Sequence, residues 1–313
     1  MTAPEDKTRR AALVAIVTSA AAIATGLSLG LPLLALVLQA RGVSGTWIGL
    51  NTAVAGLASV LAPVLVTPLA RRVGAGRLLT AMLALVAVTF YAFHLVDSLA
   101  GWFVLRLVFH GALTIAFVVS EFWLMTLAPP EKRGLLVGVY ATVFSVGLAV
   151  GPLVLALTGS IGPLPFLVGA AILAAAIVPV HLARGAPPDL HEESGHGTLG
   201  FVAAAPAATL AALAFGAVES GGLAILPLWG LAQGLDEGRA AWLLTAVGLG
   251  NVAMQIPIGL LADRLDKTRL LGLCALGSAL GAALLPLAAA SSLAATLALL
   301  FLWGGIAAGL YTI

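Results

Sequence analysis

Apolar runs of membrane-spanning length follow one another through this chain at about 11–38, 47–69, 78–97, 102–128, 135–157, 163–183, 201–229, 239–262, 270–290 and 293–313, each bounded by Gly, Pro or charged residues. A helix rises about 1.5 Å per residue and about 20 residues cross the hydrocarbon layer, so each run reads as a transmembrane helix. The expected fold is all-α and polytopic, with about ten helices. Hydrophobic residues make up 61% of the 313 and charged residues 9%, against roughly 25% charged in soluble domains. The first run is longer than a signal-peptide core of about 7–15 residues, so it is expected to stay as a membrane helix. The single cysteine, Cys274, lies inside an apolar run and reads as a small core residue.

A short basic string occurs twice, about 192 residues apart, each time directly after one of those runs. The first copy is Thr67-Pro-Leu-Ala-Arg71-Arg72-Val-Gly74-Ala-Gly76-Arg77, and the second is Gly259-Leu-Leu-Ala-Asp263-Arg264-Leu-Asp266-Lys267-Thr-Arg269. Leu31-Pro32-Leu33 recurs as Leu226-Pro227-Leu228 and Trp47 as Trp242, both about 195 residues on. Six spans separate the copies, and an even number means a parallel repeat about an axis along the membrane normal. The expected domains are a six-helix N-terminal half at 1–183, a cytoplasmic linker at 184–200, and a C-terminal half at 201–313 holding helices seven to ten. With a cytoplasmic N-terminus, the inside segments carry Lys7, Arg9, Arg10, Arg71, Arg72, Arg77, Lys132, Arg133, Arg184, Arg264, Lys267 and Arg269, while the outside loops carry only Arg41 and Arg239.

On these residues the chain resembles the major facilitator superfamily (MFS) of secondary transporters. The family's loop pattern Gly-x-x-x-Asp-Arg-x-Gly-Arg is matched in the first copy by Arg72, Gly74 and Arg77, with Thr67 and Arg71 where Gly and Asp are usual. The second copy keeps Gly259, Asp263, Arg264 and Arg269 and has Asp266 at the second Gly. Arg106 and Gly111 in the fourth span are similar to the family's Arg-x-x-x-Gly signature displaced by one, with His110 at the usual Gly position; Gly147, Gly151 and Pro152 are similar to its antiporter motif. The run from Gly216 and Glu219 through Trp229, with Glu121-Phe-Trp-Leu-Met125, looks most like the uncharacterised bacterial YcaD-like branch. The resemblance implies an MFS-type pair of parallel six-helix repeats and transport by alternating access. The family has twelve helices, and this chain stops at Ile313 inside its tenth run with no cap or basic flank, so a fragment lacking helices eleven and twelve is expected.

The doubled turn suits a gate. Gly permits close helix approach, and an Asp-Arg pair can bond the end of a neighbouring helix in one state and release it in the other. Arg72, Gly74, Arg77, Gly259, Asp263, Arg264 and Arg269 are therefore the expected cytoplasmic gating motif, with the acid absent from the first copy at Arg71. The same arginines would also serve if they only set topology.

A charge at the bilayer centre costs at least about 2.5–3.5 kcal/mol, which singles out Arg106, His110, Glu121 and Glu219 inside spans. At about 100° per residue, His110 lies about 40° and Glu121 about 60° from Arg106, so this shared face is expected to turn inward. Glu219 precedes Ser220-Gly221-Gly222, where bare backbone can reach a ligand. Glu121 and Glu219 are the expected proton carriers. Trp123 is placed to stack on a substrate, and Asn51, Asn251 and Gln255 to line its path, although interhelical hydrogen bonds explain those three amides equally well. Trp47, Trp102, Trp229 and Trp242 fall at helix ends and are expected as interfacial anchors.

No enzyme activity, cofactor or metal is expected: there is no Gly-rich phosphate loop with a lysine, no Ser-His-Asp arrangement, and no carboxylate at metal-ligand spacing from His94, His110 or His181. The net charge of +2 gathers into no basic cluster, so no nucleic acid partner is expected. A ten-helix drug/metabolite transporter would have a similar length, but its inverted five-helix repeat needs an odd number of helices between copies. A membrane-embedded protein that does not transport is the remaining alternative. The reading adopted is a monomeric multi-pass protein of the cell (inner) membrane, with a cytoplasmic N-terminus, moving a small polar or amphipathic solute together with protons.

Overall fold

The computed structural model describes residues 3–128, 133–183, 210, 216, 221–222, 224–262 and 264–312. Among these the regular elements are α-helices and no strand occurs. Two compact units divide the chain, Met1–Leu190 and His191–Ile313. The first contains α1 (Ala3–Ala40), α2 (Gly45–Leu61), α3 (Pro63–Val73), α4 (Ala75–Leu95), α5 (Leu99–Leu127), α6 (Arg133–Thr158), α7 (Leu164–Ala175) and α8 (Ile177–Leu182). The second contains a helical stretch at 224–232, then α9 (Glu237–Ala262), α10 (Lys267–Ser291) and α11 (Leu293–Thr312). Among the described residues seven helices are long and apolar enough to cross a membrane, α7 and α8 counting as one, and the bent pair α2–α3 makes an eighth. The chain thus has an all-α, polytopic membrane fold. Residues 184–200, expected as a linker, and most of the span expected at 201–229 lie outside the described residues.

The span expected at 47–69 is not one straight helix. It breaks at Ala62–Pro63 with a bend of 53°. Proline has no N–H to donate, and its ring collides with the carbonyl four residues back, here Ser59.

In the first unit α1 is the most buried span, with 83% of its apolar window buried against 44%, 50% and 22% for α4, α5 and α6. Its sequence is apolar on every side, from Ala15 and Ile16 through Ile23 and Leu29 to Leu33 and Leu34, as a helix surrounded by protein must be. On α6, Gly147 lies so close to α1 that a Cβ there would come within 2.6 Å of the Ala21 carbonyl. Thr25 and Ser28 of α1 donate to the Gly147 carbonyl at 3.2 and 3.3 Å across this contact. The pairing of small residues with hydroxyls is how helices hold together where lipid supplies no hydrophobic drive. An aromatic wedge fills the space between α4, α5 and α7: Phe93 packs on Trp102 at 5.1 Å, and Phe90 on Phe109 and Phe166 at 5.5 and 6.0 Å.

The second unit repeats the tactic. A Cβ on Gly250 of α9 would land on the Phe301 carbonyl of α11, so the two backbones touch. Trp303 of α11 donates its indole N–H to the Ser278 carbonyl of α10 at 2.8 Å. Cys274 is buried with Leu270 and Leu310, as a core thiol.

The doubled turn takes two forms. In the first copy Arg71 and Arg72 end α3, and Gly74 at φ 83° turns the chain into α4. In the second Asp266 has an ordinary φ of −59°, and its Oδ1 accepts the Arg269 N–H at 2.9 Å to cap α10. The substitution of Asp for the family's Gly is therefore a helix cap in place of a glycine turn.

Thermal melting of the full-length protein in detergent checks this packing. Gly250→Ala should cost about 1–3 kcal/mol, since the methyl has backbone in its way, whereas Gly272→Ala, facing open space on α10, should be neutral or stabilising by up to about 1 kcal/mol. Asp266→Ala should cost about 0.5–2 kcal/mol by uncapping α10.

Candidate functional site

The charged residues of interest converge on α5. This helix opens on Ser98, whose Oγ accepts the Gly101 N–H at 3.1 Å, and continues for 29 residues. Its buried stripe recurs every three or four positions through Trp102, Arg106, Phe109, His110, Leu113, Ala116, Ser120 and Trp123.

Arg106 is fully buried and donates from Nε to Asn51 Oδ1 at 3.0 Å. Its Nη1 and Nη2 have no hydrogen-bond partner among the described residues, and neither has Asn51 Nδ2. One turn further along, His110 is 2% exposed, and its Nδ1 donates to the Arg106 carbonyl at 3.2 Å. The other ring nitrogen, Nε2, is buried and has no partner among the described residues, and the Phe109 ring stands 4.9 Å from the imidazole. The Arg106–Asn51 pair and the His110 ring one turn along thus form a buried polar group whose remaining hydrogen-bonding capacity is unused among the described residues.

The register that creates the cluster is regular. Arg41 Nη1 bonds the Val96 carbonyl at 3.0 Å, Asn51 meets Arg106, and Thr114 donates to Ser59 Oγ at 3.1 Å, each pair 55 residues apart. A constant offset means that α2 and α5 lie side by side and run parallel. Arg41 also stacks over Trp102 at 4.9 Å and pairs with Asp97 at 3.6 Å.

Several expected residues sit differently. Glu121 does not share the burial of Arg106 and His110: it is exposed, and 15 residues of helix place it about 22 Å from Arg106. The buried stripe at that end passes through Ser120, Trp123 and Leu124, leaving Glu121 to one side. Trp102 is not an interfacial anchor but fully buried, with its indole N–H donating to the Val96 carbonyl at 2.7 Å; Trp47 and Trp242 are each 50% exposed. Trp123 is also fully buried, 3.7 Å from where a Cβ on Gly76 of α4 would stand. Asn251 is half-buried on α9. Glu219, Asp263 and the Gln255 side chain lie outside the described residues. Arg72, Arg77, Arg264 and Arg269 are exposed and form no ion pair among the described residues, and Gly259 has open space around it.

Sequence reasoning passed over one polar pair. Ser120 Oγ and Tyr140 OH are 3.0 Å apart between α5 and α6. Ser120 lies about 40° from Arg106 around the helix, so its place on the same stripe was there to be read. Among the described residues no three His, Cys, Asp or Glu side chains gather as metal ligands would.

A family profile described as "Major Facilitator Superfamily" matches residues 14–313. The uncharacterized MFS-type transporter YfkF of Bacillus subtilis (strain 168) is 24% identical over 253 residues, covering 77% of this chain and 63% of the relative. The chain thus spans less than two thirds of that relative's length. Among solved structures, a bacterial homologue of the human lysosomal transporter Spinster superposes with a TM-score of 0.79 at 15% identity, over 100% of this chain and 75% of that one. The nucleoside transporter NupG gives 0.73 at 12%, over 97% and 80%. A D-xylose-proton symporter gives 0.70 at 18%, over 95% and 80%. At such identities the likeness is one of fold.

Asn51→Leu tests the cluster's geometry. Stranding Arg106 Nε in the bundle should lower stability by about 1–3 kcal/mol, and Asn51→Gln, which keeps an amide, should recover part of it, both read by thermal melting.

Proposed function

The chain belongs to the Major Facilitator Superfamily, and we propose that it is a secondary active transporter that moves a small polar or amphipathic solute by alternating access, coupled to protons. The observation that carries this reading is the fully buried Arg106 in a membrane-length helix, with its hydrogen-bonding capacity only partly used. A guanidinium is costly to keep in an apolar bundle, and intramembrane charges mark solute and proton paths. His110 and Asn51 belong to the same path, and Trp123, Asn251 and Gln255 are assigned to it more loosely.

Proton coupling is supported by a shared fold with the D-xylose-proton symporter. Glu121, exposed on α5, and Glu219 are the proposed proton carriers. The two basic turns are the proposed gate, with Arg72, Gly74 and Arg77 in one and Gly259, Asp263, Arg264 and Arg269 in the other. Further parts of the proposal are two parallel halves joined near 184–200, a cytoplasmic N-terminus in the cell (inner) membrane, a monomer, and kinship with the YcaD-like branch.

The test is solute-driven proton movement in proteoliposomes of the full-length protein, read with an enclosed pH dye against panels of sugars, nucleosides and organic acids. Glu121→Gln and Glu219→Gln should abolish the proton signal while leaving solute exchange. Wild-type proton movement in both variants would sink the coupling, and no movement of any solute would sink transport.

A further inference from the structure

Arg106 presents a specific shortage. Its Nε is occupied by the neutral Asn51 oxygen, while the forked Nη1 and Nη2 are buried without a partner among the described residues. No carboxylate among them pairs with it. Asn51 must turn its oxygen toward the guanidinium N–H, which leaves its own Nδ2 as a further buried donor without an acceptor. A buried cation with no counter-charge is strongly unfavourable, and two parallel N–H groups match a planar carboxylate in bidentate fashion. His110 adds a different function: with Nδ1–H spent on the Arg106 carbonyl, the neutral ring offers Nε2 as an acceptor.

We propose that Asn51, Arg106 and His110 form a carboxylate subsite, in which Arg106 and Asn51 hold the oxyanion of an organic acid and His110 Nε2 receives a hydrogen bond from a hydroxyl or ammonium group next to it. The transported solute is then a hydroxy or amino acid, or a larger molecule carrying that unit. The subsite rests on the transport reading above and names its substrate class; alternation between states is what opens this closed cluster to the solute.

The experiment is thermal unfolding of the full-length protein titrated with lactate, malate, glutamate and benzoate. Lactamide, which lacks the charge, propanoate, which lacks the hydroxyl, and inorganic phosphate are run beside them. At least one carboxylate should raise the melting temperature by several degrees, as a ligand bound only by the folded state must. Lactamide and phosphate should not, and lactate should exceed propanoate. Arg106→Gln should remove the response. Because that variant can fail to fold, Asn51→Asp is the second arm: it sets a built-in carboxylate against the guanidinium, so the ligand-free protein should melt higher and the carboxylate response should vanish. The subsite is overturned if no carboxylate shifts the wild type, if lactamide or phosphate shifts it equally, or if Asn51→Asp responds like wild type. Sugar or nucleoside uptake without any carboxylate shift would overturn the subsite and leave transport standing. Carboxylate binding with no uptake of any solute would leave the subsite standing and overturn transport.

Discussion

Hydrocarbon offers no hydrogen-bond partner, so every polar group that this chain places between its helices must be satisfied by the chain itself or by something it carries. The backbone meets the demand by being helical. Most hydroxyls meet it by folding back on their own helix, as Thr18 does to the Val14 carbonyl at 2.7 Å and Thr80 to the Gly76 carbonyl at 2.8 Å. Fewer reach across: Thr25 and Ser28 onto the Gly147 carbonyl at 3.2 and 3.3 Å where a glycine lets two backbones close, Thr114 onto Ser59 Oγ at 3.1 Å, and Ser120 and Tyr140 onto each other at 3.0 Å. Burial alone cannot hold these helices, because lipid is as apolar as their side chains. Packing against glycine and these few cross-links must carry the bundle.

Under that rule Arg106 and its neighbours stand out. The side of α5 that meets α4 is filled by aromatic rings, Trp102 against Phe93 at 5.1 Å and Phe109 against Phe90 at 5.5 Å, with the Trp102 indole N–H tied to the Val96 carbonyl. Toward α2 the same helix offers the guanidinium, and Asn51 takes one of its donors. The bend at Pro63 separates α2, whose Asn51 accepts from Arg106, from α3, which carries the basic turn. Rigid packing on one side supports the polar cluster on the other, as the proposed solute site would need.

Much of this was legible before any coordinates. Spans follow from length and hydropathy, and Arg106 and His110 announce themselves because a charge or imidazole inside a span is rare. What escaped depends on contact. Asn51 looks like any amide in a helix until the offset of 55 residues sets it against Arg106. Trp102 reads as an anchor because an indole at a helix end suits the membrane interface; here the loop between α4 and α5 supplies a carbonyl, and Arg41 covers the ring. Glu121 lies within about 60° of Arg106 on the helical wheel, yet a wheel does not record where neighbouring helices stop covering it. Ala62-Pro63 sits in an unbroken apolar run, so hydropathy passes over the break that proline steric demand imposes.

The two basic turns meet the same local demand in different ways. Each must end one helix and start the next within a few residues, leaving orphan carbonyls behind and orphan N–H groups ahead. In the first copy Arg71 and Arg72 place positive charge at the carbonyl end of α3, and Gly74 at φ 83° makes the turn. In the second, Asp266 turns the chain at φ −59° and its carboxylate accepts the Arg269 N–H in the first turn of α10 at 2.9 Å. A residue in an extended conformation does not need glycine, and a cap that accepts a hydrogen bond does not suit glycine, so each choice excludes the other. Departures from a shared motif at these two positions are thus local solutions to the same unsatisfied backbone, and Asp266 is engaged with its own helix.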